Sequence, residues 1–194
     1  LDKPVKTTYL PAGSDLDNSV WQAGEVHEID CGALASLGPV TNIVHTAAGG
    51  NGNGNGGGGN GGGGGNGGGN GGGNGGGGGT TVKIPTGTTL VNGVIYTDCI
   101  IQFGSNVTLE DVLIISTNTD IHAIDGASGV TLGLDDGCAA GGGVQIVTMG
   151  GVNFPANLSV FGSQIIAMKK IDFEANANGV EGVSMVSGGE IDST

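Results

Sequence analysis

The chain has 194 residues, 45 of them glycine, and its formal net charge at pH 7 is −13. The chain has five lysines, no arginine and 18 acidic residues, which argues against nucleic acid and anionic membranes as partners because both need clustered cations. No apolar run reaches the ~18 residues of a membrane span, so we expect no transmembrane segment.

Residues 1–48 form the first zone, which we interpret as an N-terminal β segment. A strand is predicted at Glu25–Ile29, and Asn42–His45 is a second short apolar run. The zone also contains Trp21, the only tryptophan of the chain.

Residues 49–79 form a low-complexity tract of 24 glycines and 7 asparagines. Such a tract cannot bury apolar surface, and glycine loses the most backbone entropy on ordering. We therefore predict a flexible linker or loop. The alternative is a set of extended poly-glycine helices with three residues per turn, although the irregular spacing of the asparagines marks no single face of such a helix.

Residues 80–194 contain short apolar runs bounded by Gly, Asn or Asp, and no helical period. Runs of this kind are typical of β-strands between turns. The predicted strands are Val107–Leu109, Val112–Ile115, Val130–Leu132, Val144–Met149, Leu158–Val160 and Ile165–Met168.

An internal repeat of 19 to 23 residues runs through this zone. The segment 147–154 aligns with 166–173, and 106–109 aligns with 129–132. One coil of a parallel β-helix uses about this much chain, and stacked coils bury a shared core. We predict an all-β fold, a right-handed parallel β-helix of five to six coils over 80–194, with Phe154 and Phe173 stacked in its core. An antiparallel sandwich remains the alternative, but Asn92-Gly93 is its one clean hairpin signal.

Three cysteines, Cys31, Cys99 and Cys138, show no metal-ligand spacing. An acidic, lysine-poor chain rich in Gly, Asn and Thr is typical of exported proteins, where one disulfide forms readily. Cys99–Cys138 is the predicted pair, because both residues lie in the better-patterned half. The alternatives are three buried free thiols, or a partner cysteine outside this sequence.

The block Asp135-Asp136-Gly137-Cys138 with Gly141–Val144, together with Ala177–Val180, resembles the C-terminal part of TadG-like proteins of the tight-adherence (Flp/Tad) pilus in Gram-negative bacteria. The resemblance covers roughly residues 98–190. It implies an extracellular or cell-envelope protein that helps surface attachment and has no established chemistry.

Acidic residues supply the candidate chemical sites. Asp135 and Asp136 form a candidate Ca²⁺ site, because Ca²⁺ prefers carboxylate oxygens, or else they cap a solvated turn. Asp120 and Asp125, with His122 on the same strand face as Asp120, are the candidate residues of a polysaccharide-degrading enzyme.

We expect a non-enzymatic exported structural and binding protein with no required cofactor. Its expected partners are envelope or pilus proteins, with Trp21 and Tyr96 as the binding residues because aromatic side chains dominate interface hot spots. Further copies of the chain are another candidate partner. One alternative is a phage or particle spike that binds a bacterial surface glycan, and a second is a β-helical polysaccharide lyase or hydrolase.

Overall fold

Parallel β-strands make up the regular structure of the computed structural model, which describes residues 6–32, 80–135 and 142–193, except the side chains of 176–178. No helix able to span a membrane occurs within these ranges. The strands are β1 (Thr7–Pro11), β2 (Val26–Asp30), β3 (Thr81–Ile84), β4 (Thr89–Thr97), β5 (Ile100–Phe103), β6 (Thr108–Ser116), β7 (Ile124–Asp125), β8 (Thr131–Leu132), β9 (Gln145–Thr148), β10 (Val152–Phe161), β11 (Gln164–Ala167), β12 (Ile171–Glu181), β13 (Ser184–Ser187) and β14 (Ile191–Ser193).

The strands lie in three stacks, and each strand pairs in parallel with its equivalent in the neighbouring coil. The first stack is β1, β2, β4, β6, β9, β11, β13. The second is β3, β5, β7, β10, β12, β14. The third is β4, β6, β8, β10, β12, where the longer strands bend round a corner and join two stacks. The predicted parallel β-helix is confirmed, and the antiparallel alternative is excluded for these strands.

The solenoid has about seven coils rather than five to six, because it begins before the glycine/asparagine tract. Strands β1 and β2 occupy the first two levels of the first stack, and Val26 pairs in register with Val94. The N-terminal β segment is thus the start of the same solenoid. The tract at 49–79 and the run Asn42–His45 lie outside the described residues.

The internal repeat is the coil repeat. Val147 pairs with Ile166 and Phe154 pairs with Phe173, both at the offset of 19 seen in the sequence. Leu109 pairs with Leu132, and the longer offset of 23 is taken up by a turn between β6 and β7. The repeat therefore predicted the strand register correctly.

Inward side chains form one continuous core. Ile95, Ile114 and Ile146 follow one another in register and are fully buried. Each such side chain contributes about 1.5–3 kcal/mol by burial. Phe154 is also buried and packs edge-on against Phe103 with ring centroids 5.6 Å apart. Phe154 and its register partner Phe173 contribute to the core as predicted, Phe173 being partly buried.

Short polar side chains close the corner between the first and second stacks. At the end of five of the seven strands of the first stack, a side-chain oxygen accepts a hydrogen bond from the backbone N–H two residues later. The pairs are Asp30/Gly32, Thr97/Cys99, Ser116/Asn118, Thr148/Gly150 and Ser187/Gly189. These local bonds satisfy backbone donors where the chain leaves the sheet.

The disulfide joins Cys31 to Cys99, with the Cα atoms 5.3 Å apart, and this corrects the predicted Cys99–Cys138 pair. Cys31 follows β2 and Cys99 follows β4, and these two strands are hydrogen-bonded neighbours. Both cysteines therefore lie at the same corner, one coil apart, despite a sequence separation of 68. Cys138 lies outside the described residues.

Candidate interaction face

Apolar residues occupy both sides of the strands in the first stack. In the second stack, β3 alternates as a half-exposed strand should, with Val82 and Ile84 buried and Lys83 exposed. In β6, by contrast, Ile114 points into the core while its neighbours Leu113 and Ile115 point outward and are partly exposed. Sheets with apolar residues on both faces are usually covered on both faces.

The strand register aligns these outward residues into rows that cross the coils. We define the apolar face as the apolar members of three rows. The first row has Val26, Val94 and Leu113; the second has Tyr9, Tyr96, Ile115, Val147, Ile166 and Val186; the third has Met149 and Met168. The first row continues with the polar residues Gln145, Gln164 and Ser184, and Glu28 lies between the two tyrosines of the second row.

The apolar face includes several of the most exposed large apolar side chains among the described residues. Met168 is 65% exposed, Met149 and Val186 are each 53% exposed, and Val147 is 39% exposed. Met168 follows Met149 by one coil, since its N–H donates to Thr148 O at 3.0 Å. Contiguous exposed apolar surface is a mark of interaction sites, and methionine is common at adaptable ones.

The apolar face is long and narrow. Its seven strands are stacked ~4.8 Å apart, which gives ~29 Å along the solenoid axis. Its three rows are ~6.6 Å apart along each strand and together span ~13 Å. No single strand carries apolar members of more than two neighbouring rows, so the apolar band shifts from the first two rows to the last two along the axis.

Carboxylates outnumber lysines around this face. They are Glu25 and Asp111 before the first row, Asp120 and Glu190 beyond the third row, and Asp30, which lies in the third row at the level of β2. Three cations lie around the same face. Lys6 pairs with Glu25 at 2.8 Å, Lys169 donates to the carbonyl of Thr119, and Lys170 occupies the position next to Glu190 in the neighbouring coil. Hydrogen bonds from Lys6 and Thr8 lower the pKa of Glu25 and keep it charged. The surroundings of the face are therefore acidic in sum.

The outward row of the second stack is polar and differs sharply from the apolar face. It runs Lys83, Gln102, Asp125, Asn153, Asp172 and Asp192 in register. The ammonium of Lys170 bridges Asp172 at 3.0 Å and Asp192 at 3.2 Å, and these bonds raise the pKa of Lys170. Polar ladders of this kind are what water-facing solenoid sheets normally carry.

Tyr96, predicted as a binding residue, lies on the apolar face. It is in register with Glu28, which is in turn in register with Tyr9, so the two tyrosines are two strands apart in one row. Burial, and then the neighbouring charge of Glu28, raise the pKa of the Tyr9 phenol. Tyr9 is therefore a neutral, exposed group at one end of the face. Tyr96 is partly buried.

Trp21, the other predicted binding residue, lies in the core instead. It is 8% exposed, its Nε1–H donates to Val91 O at 2.9 Å, and its ring stacks on His27 with centroids 4.3 Å apart. Gly93 makes room for it, because a Cβ there would lie 2.3 Å from the indole. Trp21 thus packs the first coils together and offers little surface to a partner.

His27 beneath Trp21 is a buried neutral histidine. Its Nε2 accepts a hydrogen bond from Gln22 N–H at 3.2 Å, and its Nδ1 has no hydrogen-bond partner among the described residues. Burial lowers the pKa of His27, and the charge of Glu25 opposes that shift.

The candidate catalytic residues do not share a strand. His122 lies exposed in a turn rather than on the strand face predicted for it, because residues 117–123 form the longer connection between β6 and β7. Asp120 Oδ1 accepts the N–H of His122 at 2.8 Å, and Asp125 Oδ1 accepts Asn153 Nδ2–H at 2.9 Å. These bonds give both carboxylates a role in holding local structure.

The candidate Ca²⁺ site is only half within the described residues. Asp135 is exposed just after β8, and Asp136 lies outside the described residues. Within the described ranges, Cys31, Asp98 and Cys99 group their potential ligand atoms within 4.8 Å. Their sulfurs are bonded to each other, so they supply no thiolate to a metal.

Sequence reasoning missed most of the apolar face, apart from Tyr96. A partial signal was present, because several strands of the first stack have apolar residues at consecutive positions, as in Val112–Ile115 and Ile165–Met168, whereas strands such as β3 alternate. Only the strand register shows that the outward members of these runs meet in rows.

Comparison with known proteins gives a family but no activity. No curated protein and no solved structure matches the chain. A family model described as a domain of unknown function, DUF7867, matches residues 74–194. That range is more than half of the chain and includes twelve of the fourteen strands, so the protein belongs to the DUF7867 family.

Proposed function

We propose that this protein is an exported, non-enzymatic structural and binding protein of the cell envelope, which assembles with a partner through its apolar face. Surface attachment or tight-adherence pilus assembly is the proposed setting. The observation that carries the proposal is the run of outward apolar residues across the coils of the first stack. A surface of this extent in water favours association.

Two further features support this role. Hydrogen-bonded parallel coils make a stiff body on which an interaction face keeps its shape, since each coil is held by its neighbours. The disulfide between Cys31 and Cys99 is of the kind that persists in oxidising compartments, which is consistent with export. The TadG-like block supports the envelope setting by resemblance.

Replacement in the host tests the proposal. The chromosomal gene is replaced by one that encodes Met149→Ser with Met168→Ser, and a matched strain carries Val91→Ser, an exposed apolar residue of the third stack. We expect the double variant to lose surface attachment and envelope association severalfold, while Val91→Ser keeps both. Wild-type attachment in the double variant would contradict the proposal.

A glycan-binding spike is the second candidate function, and the two tyrosines of the apolar face favour it. Tyr9 and Tyr96 are two strands, or ~10 Å, apart along the axis, a spacing that lets two rings contact one oligosaccharide. Binding to bacterial surface glycans that is lost in Tyr96→Ala would support the spike. Release of reducing ends or unsaturated sugars that is lost in Asp120→Asn would instead support the enzyme.

A further inference from the structure

We infer that the apolar face binds an amphipathic α-helix of a partner protein, with apolar residues on one side and lysine or arginine along both flanks. The inference rests on the proposed function and specifies the partner of the same face.

The dimensions of the face fit one helix lying along the solenoid axis. A helix of ~20 residues is ~30 Å long and ~10–12 Å wide with its side chains. The apolar face extends ~29 Å along the axis within three rows that span ~13 Å, and at each strand the apolar band is one or two rows wide, the width that one side of a helix covers. Helices are also the usual cover of parallel sheets.

The charges around the face determine which helix fits. The surroundings of the face are acidic in sum, with five carboxylates that include Asp30 and Asp111 against three lysines, and the whole chain carries a net charge of −13. A helix whose flanks carry lysine or arginine places cations against these carboxylates. The apolar stripe of that helix then covers the rows that include Val147 and Met168.

The same charges disfavour a second copy of the chain on this face. Because the surroundings of the face are acidic in sum, a face-to-face arrangement of two copies opposes two surfaces of the same net charge. Each copy also carries a net charge of −13, which adds to the repulsion.

The exposed methionines form the part of the face most easily altered without loss of the fold. Met149 and Met168 project from the corner after β9 and β11, and more than half of each is exposed. Serine at both positions removes apolar contact area while the inward residues of those strands stay unchanged. Val186→Thr, at a position 53% exposed, is a second and nearly isosteric change on the same face.

The experiment uses the full chain and two labelled helical peptides. One peptide of ~20 residues has leucine and alanine on one side and lysine along both flanks, and the other has glutamate at those flank positions. Fluorescence anisotropy measures their binding to the wild type, the Met149→Ser/Met168→Ser variant, Val186→Thr and the control Val91→Ser. Thermal unfolding checks that each variant is folded.

We expect the lysine-flanked peptide to bind the wild type and Val91→Ser equally. Binding should weaken about tenfold in the methionine double variant and measurably in Val186→Thr. The glutamate-flanked peptide should bind at least about tenfold more weakly at ~0.1 M salt, and the gap should narrow at ~1 M salt, where the Debye length falls from ~10 to ~3 Å.

Three outcomes would overturn the inference. The first is equal affinity for both peptides, or an affinity for the lysine-flanked peptide that the variants of the apolar face leave unchanged. The second is a wild-type dimer in sedimentation equilibrium that the methionine double variant dissociates, which makes a second copy the occupant. The third is failure of both peptides to bind while attachment in the host still needs Met149 and Met168. In that case the helix is wrong and the proposed function stands, whereas attachment independent of both residues defeats the proposed function itself.

Discussion

Removal of the Cys31–Cys99 disulfide should destabilise the N-terminal coils strongly. The bond closes a loop between residues 68 apart, for which the chain-entropy relation gives about 4 kcal/mol at 25 °C. Domains of this size are stable by only about 5–15 kcal/mol in total. The loop contains the glycine/asparagine tract, whose open chain has many conformations, so the crosslink restricts the unfolded state greatly.

The effect should be concentrated in β1 and β2. These strands precede the crosslink. The β2–β4 pairing, the packing of Trp21 and backbone hydrogen bonds from residues 13–16 to β3 connect them to the coils that follow. Stability in stacked-repeat proteins is approximately a sum of local and neighbour terms, so a lost crosslink acts on nearby coils first. Amide exchange should therefore accelerate in β1 and β2 and change little in β9 and β11.

Urea unfolding followed by tryptophan fluorescence measures this effect directly, because Trp21 is the only tryptophan and lies in these coils. The Cys31→Ala/Cys99→Ala variant should lose about 3–4 kcal/mol of unfolding free energy, and reduction of the wild type should act similarly. Cys138→Ala is the matched control and should unfold like the wild type. A loss below about 1 kcal/mol would refute the argument, as would peptide mapping that links Cys99 to Cys138.

Three further predictions concern packing and charge. Because burial lowers the folded-state pKa of His27, the unfolded chain binds a proton at His27 at a higher pH than the folded chain does. The contribution of His27 to stability is then full above about pH 6.5 and falls as the pH drops from there towards the folded-state pKa. The urea midpoint should therefore fall with pH in the wild type and in His122→Gln, but not in His27→Phe. Gly93→Ala should lower the free energy of unfolding by about 1–3 kcal/mol, because its Cβ would lie 2.3 Å from the Trp21 ring. A variant with wild-type stability and wild-type tryptophan emission would contradict this. Phe154→Ala should cost about 3–5 kcal/mol through the cavity it leaves, as measured by the urea midpoint.

Local pattern was sufficient to predict the coil repeat. The offset of 19 between Val147 and Ile166 appears as Cα pairing in β9 and β11, because a solenoid places equivalent residues directly above one another. The same pattern underestimated the number of coils. Residues 7–30 share no obvious repeat with the later coils, and their place in the first stack depends on pairing between Val26 and Val94 across the glycine/asparagine tract.

The candidate site was less predictable than the fold. Tyr96 was identified from residue type alone, and the register places it on the apolar face, but the same reasoning chose Trp21, which is buried against His27. Residue type does not report burial, since a large aromatic side chain serves a core and an interface equally well.

The amino-acid sequence alone determined the β-rich character, the coil length and the acidic, lysine-poor composition, because these depend on local periodicity and on counting. Tertiary structure decided which cysteine pairs with Cys99 and which apolar side chains face water. Both depend on the register of strands distant in sequence, where a shift of one residue exchanges the inner and outer faces of a strand. The apolar face exists because the first stack pairs in one particular register, and no short stretch of the chain contains that information.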